Sequence, residues 1–189
     1  MIEVLRSATA LSHRRIESVL QLEGDFTLAH YGAVLQGFAA FLDAWEPAVA
    51  RQLPSHLVPW FAARTRGQMV RRDLVALQLP HPSRANPEID LASPAALFGS
   101  LYVLEGSALG GQVISRRLLQ LHGLTADRGA AYFNGHGSDT GRMWRQFRNL
   151  LDAELVDSQA NRALASASAC RTFDALTDVF TQTLAPYPL

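Results

Sequence analysis

Apolar residues recur at three- and four-residue intervals along most of this chain, a spacing that predicts helices rather than strands. Between Ile2 and Leu22 the positions Val4, Leu5, Ala8, Leu11, Ile16, Val19 and Leu20 mark a first helix. A second is expected after Asp25-Phe26-Thr27 and toward Arg51, with Tyr31, Val34, Leu35, Phe38, Phe41, Leu42 and Trp45 on one broad face. A third is expected from about Leu57 to Leu79, entered through Pro54 and Pro59. The stretch LPHPSRANPEIDLASP then holds four of the nine prolines and reads as a loop, because proline lacks the amide donor and clashes inside a helix.

Ser93-Pro94 forms a good N-cap and first-turn pair for a long apolar helix from Ala95 to about Leu121. The glycine-rich segment GAAYFNGHGSDTG reads as a second loop, followed by helices over Met143 to Val156 and Ser158 to Leu184. No alternating strand pattern and no internal repeat is visible. The expected architecture is all-α, one domain over residues 1–189 with six or seven helices.

Composition narrows the function. Lys+Arg and Asp+Glu are both 17, so the net charge is zero, and all the cations are arginine. A neutral chain is a poor candidate for binding nucleic acid, which calls for a concentrated basic face. The single cysteine, Cys170, excludes an internal disulfide framework and a cysteine-cluster metal site. The N-terminal MIEVLRSATALSHRR lacks the apolar run of a secretory leader, and no run is long enough to span a bilayer. The expected location is the cytoplasm.

Two segments carry candidate chemistry. In Leu101–Leu118, LYVLEGSALGGQVISRRL, the glycines Gly106, Gly110 and Gly111 interrupt a strongly apolar helix. Each should cost about 1 kcal/mol relative to alanine in a helix interior, so their presence needs a reason. Gly106 and Gly110 share a face that Gly111 widens. A strip bare of side chains suits either tight helix–helix packing or a planar ligand lying against the backbone. On the first helix, His13 has Arg6 seven residues before it and Glu17 four residues after it. Arg6 and His13 then share a face, roughly 10 Å apart along the axis. That reach suits an imidazole on a central iron and a guanidinium on a peripheral carboxylate. Glu17 can accept from the other ring nitrogen and set the tautomer. The competing reading is a surface histidine beside Arg14 and Arg15. The other histidines (His30, His56, His81, His122 and His136) fall at helix ends or in loops and read as solvated. Trp45, Trp60 and Trp144 read as core or pocket packing.

Together these segments resemble the haem oxygenases, most closely the bacterial branch found with phytochromes. LRSATALSHRRIE is similar to the family's proximal helix and YVLEGSALGGQVI to its distal-helix signature. DFTLAHYGAVLQGFAAFLDAWEP, RRDLVALQLP, AAYFNGHG and MWRQFRNLLDAEL echo the remainder in order, so the resemblance covers essentially the whole chain.

The resemblance implies oxidative opening of haem, at once substrate and cofactor, to biliverdin, carbon monoxide and ferrous iron. His13 is then the iron ligand and Glu17 its hydrogen-bond partner. The backbone at Gly106, Gly110 and Gly111 lies over the ring, and Arg6 and Arg145 meet the propionates. Electrons come from a separate ferredoxin or reductase, since no flavin or iron–sulfur motif is present, and a phytochrome is a candidate recipient of biliverdin. Three departures from the family pattern stand out. Ser107 occupies the place where mammalian-type enzymes carry an aspartate that orders the water delivering protons; a hydroxyl can hold that water but not the charge. Ala10 replaces a basic residue, and Leu101 stands at the aligned tyrosine position with Tyr102 one residue off. A non-catalytic haem carrier or sensor of the same fold is the alternative. A thiaminase-like relative would want a pocket cysteine, and Cys170 is far from both motifs. A ferritin-like di-iron centre fails because no glutamate is followed three residues later by histidine.

Overall fold

Helix starts follow the side chains that can cap them. Thr27, Ser93 and Ser158 each accept a hydrogen bond from the backbone amide three residues on, at 3.1, 3.1 and 3.2 Å, and such a cap is worth about 1 kcal/mol. The computed structural model describes residues 1–185. Its helices are α1 (Ile2–Leu20), α2 (Leu28–Gln52), α3 (Val58–Ala62), α4 (Gly67–Ala76), α5 (Pro94–His122), α6 (Ala131–Asn134), α7 (Thr140–Glu154) and α8 (Gln159–Leu184). Short 3₁₀ turns at Ser55–Leu57 and Gly137–Asp139 precede α3 and α7. Among the described residues there is no strand, and no helix is long and apolar enough to cross a membrane.

The all-α expectation holds, with six helices of ten residues or more and two short ones. The proline-rich segment before Ser93 is irregular, as expected, and is strapped onto α2 by Gln36 Nε2 donating to the Pro80 carbonyl and by the Ala85 amide donating to the Ala40 carbonyl. Two expectations need correction. The glycine-rich loop contains α6, and the third helix is not continuous from Leu57 to Leu79.

The break at Ala63–Arg66 comes from two arginines that turn inward, Arg64 and Arg66, both nearly buried. Arg64 donates to Glu105 Oε2 at 2.5 Å, to the Met143 carbonyl and to Gln146 Oε1, with its guanidinium carbon 4.3 Å from the Trp60 ring centre. The next helix restarts on a carboxylate: Glu46 Oε1 accepts from the Arg66 and Gly67 amides at 2.8 and 2.9 Å. Negative charge at a helix N-terminus satisfies orphan amides and the dipole together. A Cβ on Gly67 would stand 2.6 Å from Glu46 Oε2, so only glycine leaves the carboxylate room.

At the centre, α8 packs against α1, α2 and α5. The first two turns of α5, from Ala95 to Leu101, are buried all round, as a helix apolar on every side should be. It lies so close to α8 that a Cβ on Gly99 would stand 2.1 Å from the Ala165 carbonyl oxygen. A buried polar chain ties the three helices at this level. Trp45 Nε1 donates to Ser100 Oγ at 2.8 Å, and Thr172 Oγ1 lies 2.8 Å from the same oxygen.

This crossing predicts that Gly99→Ala destabilises the protein by about 3 kcal/mol, at the upper end of overpacking penalties, because the obstructing atom is backbone and cannot rotate away. Gly24→Ala, where a Cβ meets nothing within 4 Å, should change stability by less than about 0.5 kcal/mol. Urea unfolding followed by circular dichroism measures both, and equal midpoints for the two variants would show that α5 and α8 can separate without loss.

Candidate functional site

A cleft of about 490 Å³ lies between α1 and α5, both of which pack on α8. That size falls within the range of small-molecule and cofactor sites. On α1 the helical repeat turns Arg6, Thr9, Ala10, His13, Ile16 and Glu17 toward it. On α5 it is bounded by Tyr102, Val103, Gly106, Ser107, Leu109 and Gly110. Phe173 and Leu176 of α8, with Phe38, Tyr132, Phe133 and Trp144, complete mostly apolar walls.

His13 stands on the α1 wall with Nδ1 3.1 Å from Glu17 Oε2. Nδ1 is thus the ring nitrogen turned toward that carboxylate, and Nε2 has no hydrogen-bond partner among the described residues. The imidazole rests edge-on against Phe173, the ring centres 5.8 Å apart at 78°, which limits its rotation. Its side chain is 57% exposed, where that of His30 is enclosed. Arg6 borders the same cleft two turns earlier, exposed and paired with Glu3 at 3.2 Å.

The three glycines of α5 share the cleft but meet different surroundings. A Cβ on Gly110 would point into open space, one on Gly106 would touch the Trp144 ring at 3.8 Å, and one on Gly111 would stand 2.8 Å from the Phe133 carbonyl oxygen. Gly110 therefore leaves free volume on the cleft side, and Gly111 lets α6 approach. Both readings of the strip are needed, one for each glycine.

Ser107 Oγ donates to the Leu104 carbonyl at 2.8 Å and accepts from Arg66 Nη2 at 2.8 Å. Its proton is thus committed to the helix, leaving one lone pair to receive a hydrogen bond from the cleft. Arg66 Nη2 also donates to the Leu104 carbonyl at 2.6 Å, and its guanidinium carbon lies 4.8 Å from the Tyr132 ring centre. Tyr132 and Phe133 are held in place by Asp73 of α4, whose two carboxylate oxygens accept from the Ala131 and Tyr132 amides at 2.7 and 2.8 Å. Burial raises the Asp73 and Glu46 pKa values despite these amides. Burial likewise raises Glu105, outweighing the opposing charges of Arg64 and Arg66, and pushes the Tyr132 phenol up to about 12.

Several expected positions differ in the structure. Arg145 is exposed on α7 and does not border the cleft; its neighbour Trp144 does. Leu101 is fully buried core, and Tyr102 is the tyrosine at the cleft. Burial raises the pKa of the Tyr102 phenol, and the nearby Thr9 hydroxyl and the charge of Arg6 oppose the shift. His30 is not solvated: it is 2% exposed, with Nε2 2.8 Å from the Leu20 carbonyl oxygen. His122 Nε2 lies 2.9 Å from the Phe26 carbonyl oxygen. His136 is half-buried, and burial followed by the charge of Arg66 lowers its pKa. His56 and His81 are exposed. Arg66, Tyr132 and Phe173 escaped the sequence reading. The signal for Arg66 lay in Arg64-Thr65-Arg66-Gly67, a charged interruption of a helical pattern.

Against known proteins, the sequence profile of the Heme oxygenase family matches residues 80–182, more than half of the chain. A curated relative named Heme oxygenase from Xanthomonas campestris pv. campestris (strain 8004) is 32% identical over 151 residues, 80% of this chain and 88% of that protein. The solved structure of NO- and CO-bound heme oxygenase from Neisseria meningitidis superposes with a TM-score of 0.78 over 96% of this chain and 90% of that one, at 22% identity. That last likeness is one of fold.

The split among the glycines is measurable in the ligand-free protein. Gly111→Ala should lower stability by about 1–3 kcal/mol through the Phe133 contact. Gly110→Ala should leave it unchanged or raise it by up to about 1 kcal/mol, since alanine is the better helix former. Thermal unfolding of the pair decides it; equal losses would place both glycines against packed backbone.

Proposed function

Since the chain belongs to the haem oxygenase family, we propose that the α1–α5 cleft seats haem and opens its ring, with His13 as the iron ligand. The family's activity converts haem to biliverdin, carbon monoxide and ferrous iron with O2 and an external reductant. The observation that carries the assignment is His13 itself, an imidazole with Nδ1 3.1 Å from Glu17 Oε2 and Nε2 without a partner among the described residues, on the α1 wall of an apolar cleft that α5 closes.

The cleft fits the ring on three counts. Its walls are mostly apolar, matching the porphyrin faces. Gly110 leaves open volume on the side opposite His13, where a flat molecule would otherwise meet a side chain. Arg6 stands exposed at the edge, where a propionate emerges into solvent. Bound haem supplies both the redox-active iron and the carbon that is oxidised.

The protein's own contribution is positioning. Glu17 fixes the His13 tautomer and makes Nε2 a better donor to the metal, and Phe173 holds the imidazole plane. The backbone from Gly106 to Gly110 lets α5 approach the ring closely, restricting which ring edge O2 can reach. Val103, Leu109 and Ile114 keep bulk water away from that face. Ser107 accepts a hydrogen bond from a cleft water through its remaining lone pair, holding a proton source near the reacting face. Arg6 orients the ring through a propionate, which leaves Arg145 without that role in this arrangement. The sole cysteine, Cys170, excludes a resident cysteine-ligated iron–sulfur cluster, so a ferredoxin or reductase is the electron donor we propose. A phytochrome receiving biliverdin and a cytoplasmic setting complete the reading.

Haemin should bind one to one, and His13→Ala should lose the imidazole-ligated spectrum and most turnover, with partial recovery on adding imidazole. Gly110→Leu should impair haem binding or turnover while helix content stays near wild type. The measurements are the Soret absorbance and biliverdin formed with ascorbate or a reductase. Tight binding by the wild-type chain with no biliverdin from any competent reductant would overturn the enzymatic reading, and an unchanged Soret band in His13→Ala would overturn the ligand assignment.

A further inference from the structure

Three aromatic rings stack in a file that begins at the cleft wall and ends at the protein surface. Trp144 borders the cleft and lies against Gly106, where a Cβ would meet its ring at 3.8 Å. Phe147 sits three residues later on α7, so one helix face carries both rings. Their centres are 5.5 Å apart and their planes 25° from parallel. Phe147 is fully buried and stacks in turn on Trp60 of α3, at 6.4 Å and 27°. Trp60 is only half-buried, and the Arg64 guanidinium carbon lies 4.3 Å from its ring centre. The third indole stands apart: Trp45 is 4% exposed, its Nε1 is bonded to Ser100, and its ring packs on Phe41 and Phe61. Stacked aromatic rings are ordinary core packing when both ends of the stack are buried. Here one end opens on the cleft and the other on solvent, and both ends are indoles, the most readily oxidised of the aromatic side chains.

We propose that Trp144, Phe147 and Trp60 form a relay that supplies electrons from the surface when peroxide attacks the bound haem, a protective activity separate from ring opening. The reading rests on haem occupying this cleft. Peroxide arises there whenever O2 takes up two electrons and two protons without oxidising the ring. Breaking its O–O bond on the haem releases one oxygen as water and leaves two electrons to be replaced before the ferric form returns. Trp144, at the cleft wall, gives up the first. Trp60 makes good that loss across Phe147, whose π system bridges the two indoles without itself being oxidised. At Trp60 the Nε1 proton leaves to solvent, because the Arg64 guanidinium favours an electron-rich ring face and opposes a positive charge on it. A soluble thiol then returns a hydrogen atom to that nitrogen. Two such passes, with two protons taken up from water, restore the ferric form, release the second oxygen as water and join two thiols in one disulfide. Indoles yield electrons only to strong oxidants, so the relay is idle toward ferric and ferrous haem.

The test treats the haemin complex of the full chain with a slight excess of meta-chloroperbenzoic acid, whose O–O bond breaks in the same way and which leaves as the carboxylic acid. Rapid-freeze electron paramagnetic resonance reads the radical, and ring-deuterated tryptophan identifies it by narrowing the signal. Peptide mass spectrometry then maps oxygen added to each tryptophan. The wild-type complex should show an indole-centred radical and oxygen at Trp60, severalfold above the haem-free chain given the same peracid. Trp144→Phe keeps the stack but removes the entry indole, so oxygen at Trp60 should fall severalfold and the Soret band should bleach severalfold faster. Trp60→Phe should leave the radical at Trp144 and shift the added oxygen there. Glutathione should protect the Soret band of wild type and lose that effect in Trp60→Phe.

Equal oxygen at Trp60 in wild type and in Trp144→Phe, both still ligated by His13, would overturn this proposal alone, since Trp60 would then be oxidised from solvent. Equal oxygen at Trp60 with and without haem would do the same. If Trp144→Phe does not fold, Trp60→Phe carries the test, because its ring stands partly in solvent and phenylalanine preserves the stack. There, glutathione protection and a radical signal both identical to wild type would sink the relay. A wild-type complex lacking imidazole ligation would overturn the haem-site reading, and this proposal with it.

Discussion

The close crossing of α5 and α8 at Gly99 is the constraint from which the rest of the architecture follows. Backbone within reach of backbone, with the Ala165 carbonyl where a Cβ would be, leaves the two helices one relative placement. The Trp45–Ser100–Thr172 chain then brings α2 to the same level. Because α1 also packs on α8, the gap between α1 and α5 is set by two independent contacts with a common support. A cleft built this way does not need its own walls to touch in order to stay open.

Two carboxylates extend that frame to the polar end of the cleft. Glu46 from α2 and Asp73 from α4 each accept from two consecutive backbone amides, one pair opening α4 and the other opening α6. Neither carboxylate is near in sequence to the amides at α6 or α4 that it serves. Each substitutes for a local cap and holds the backbone of a residue that lines the cleft, Arg66 in one case and Tyr132 in the other. Burial disfavours both ionised forms, and their double amide contacts offset part of that penalty.

Local pattern explains why so much was legible beforehand. The limits of α1, α2, α5 and α8 follow from apolar spacing and from Thr27, Ser93 and Ser158, interactions spanning three or four residues. His13 and Glu17 share one turn of helix, so their pairing was readable from position. The third helix failed for the opposite reason: periodicity continues through Ala63–Arg66, but the partners that break it, Glu105, Gln146 and Glu46, lie 20 to 82 residues away. His30 is enclosed, against its position at a helix start, because its partner is the end of the preceding helix.

By itself, then, the sequence determined the helical class, the order of the helices and the two facing motifs, since each depends on neighbours within a few residues. The tertiary structure decided which glycine opens the cleft and which admits α6, and that Tyr102 rather than Leu101 reaches it. It also decided that Arg145 stays outside while Arg66 enters. Those outcomes turn on distances between segments far apart in the chain, where a buried charge or a bare backbone gains its meaning only from what is packed beside it.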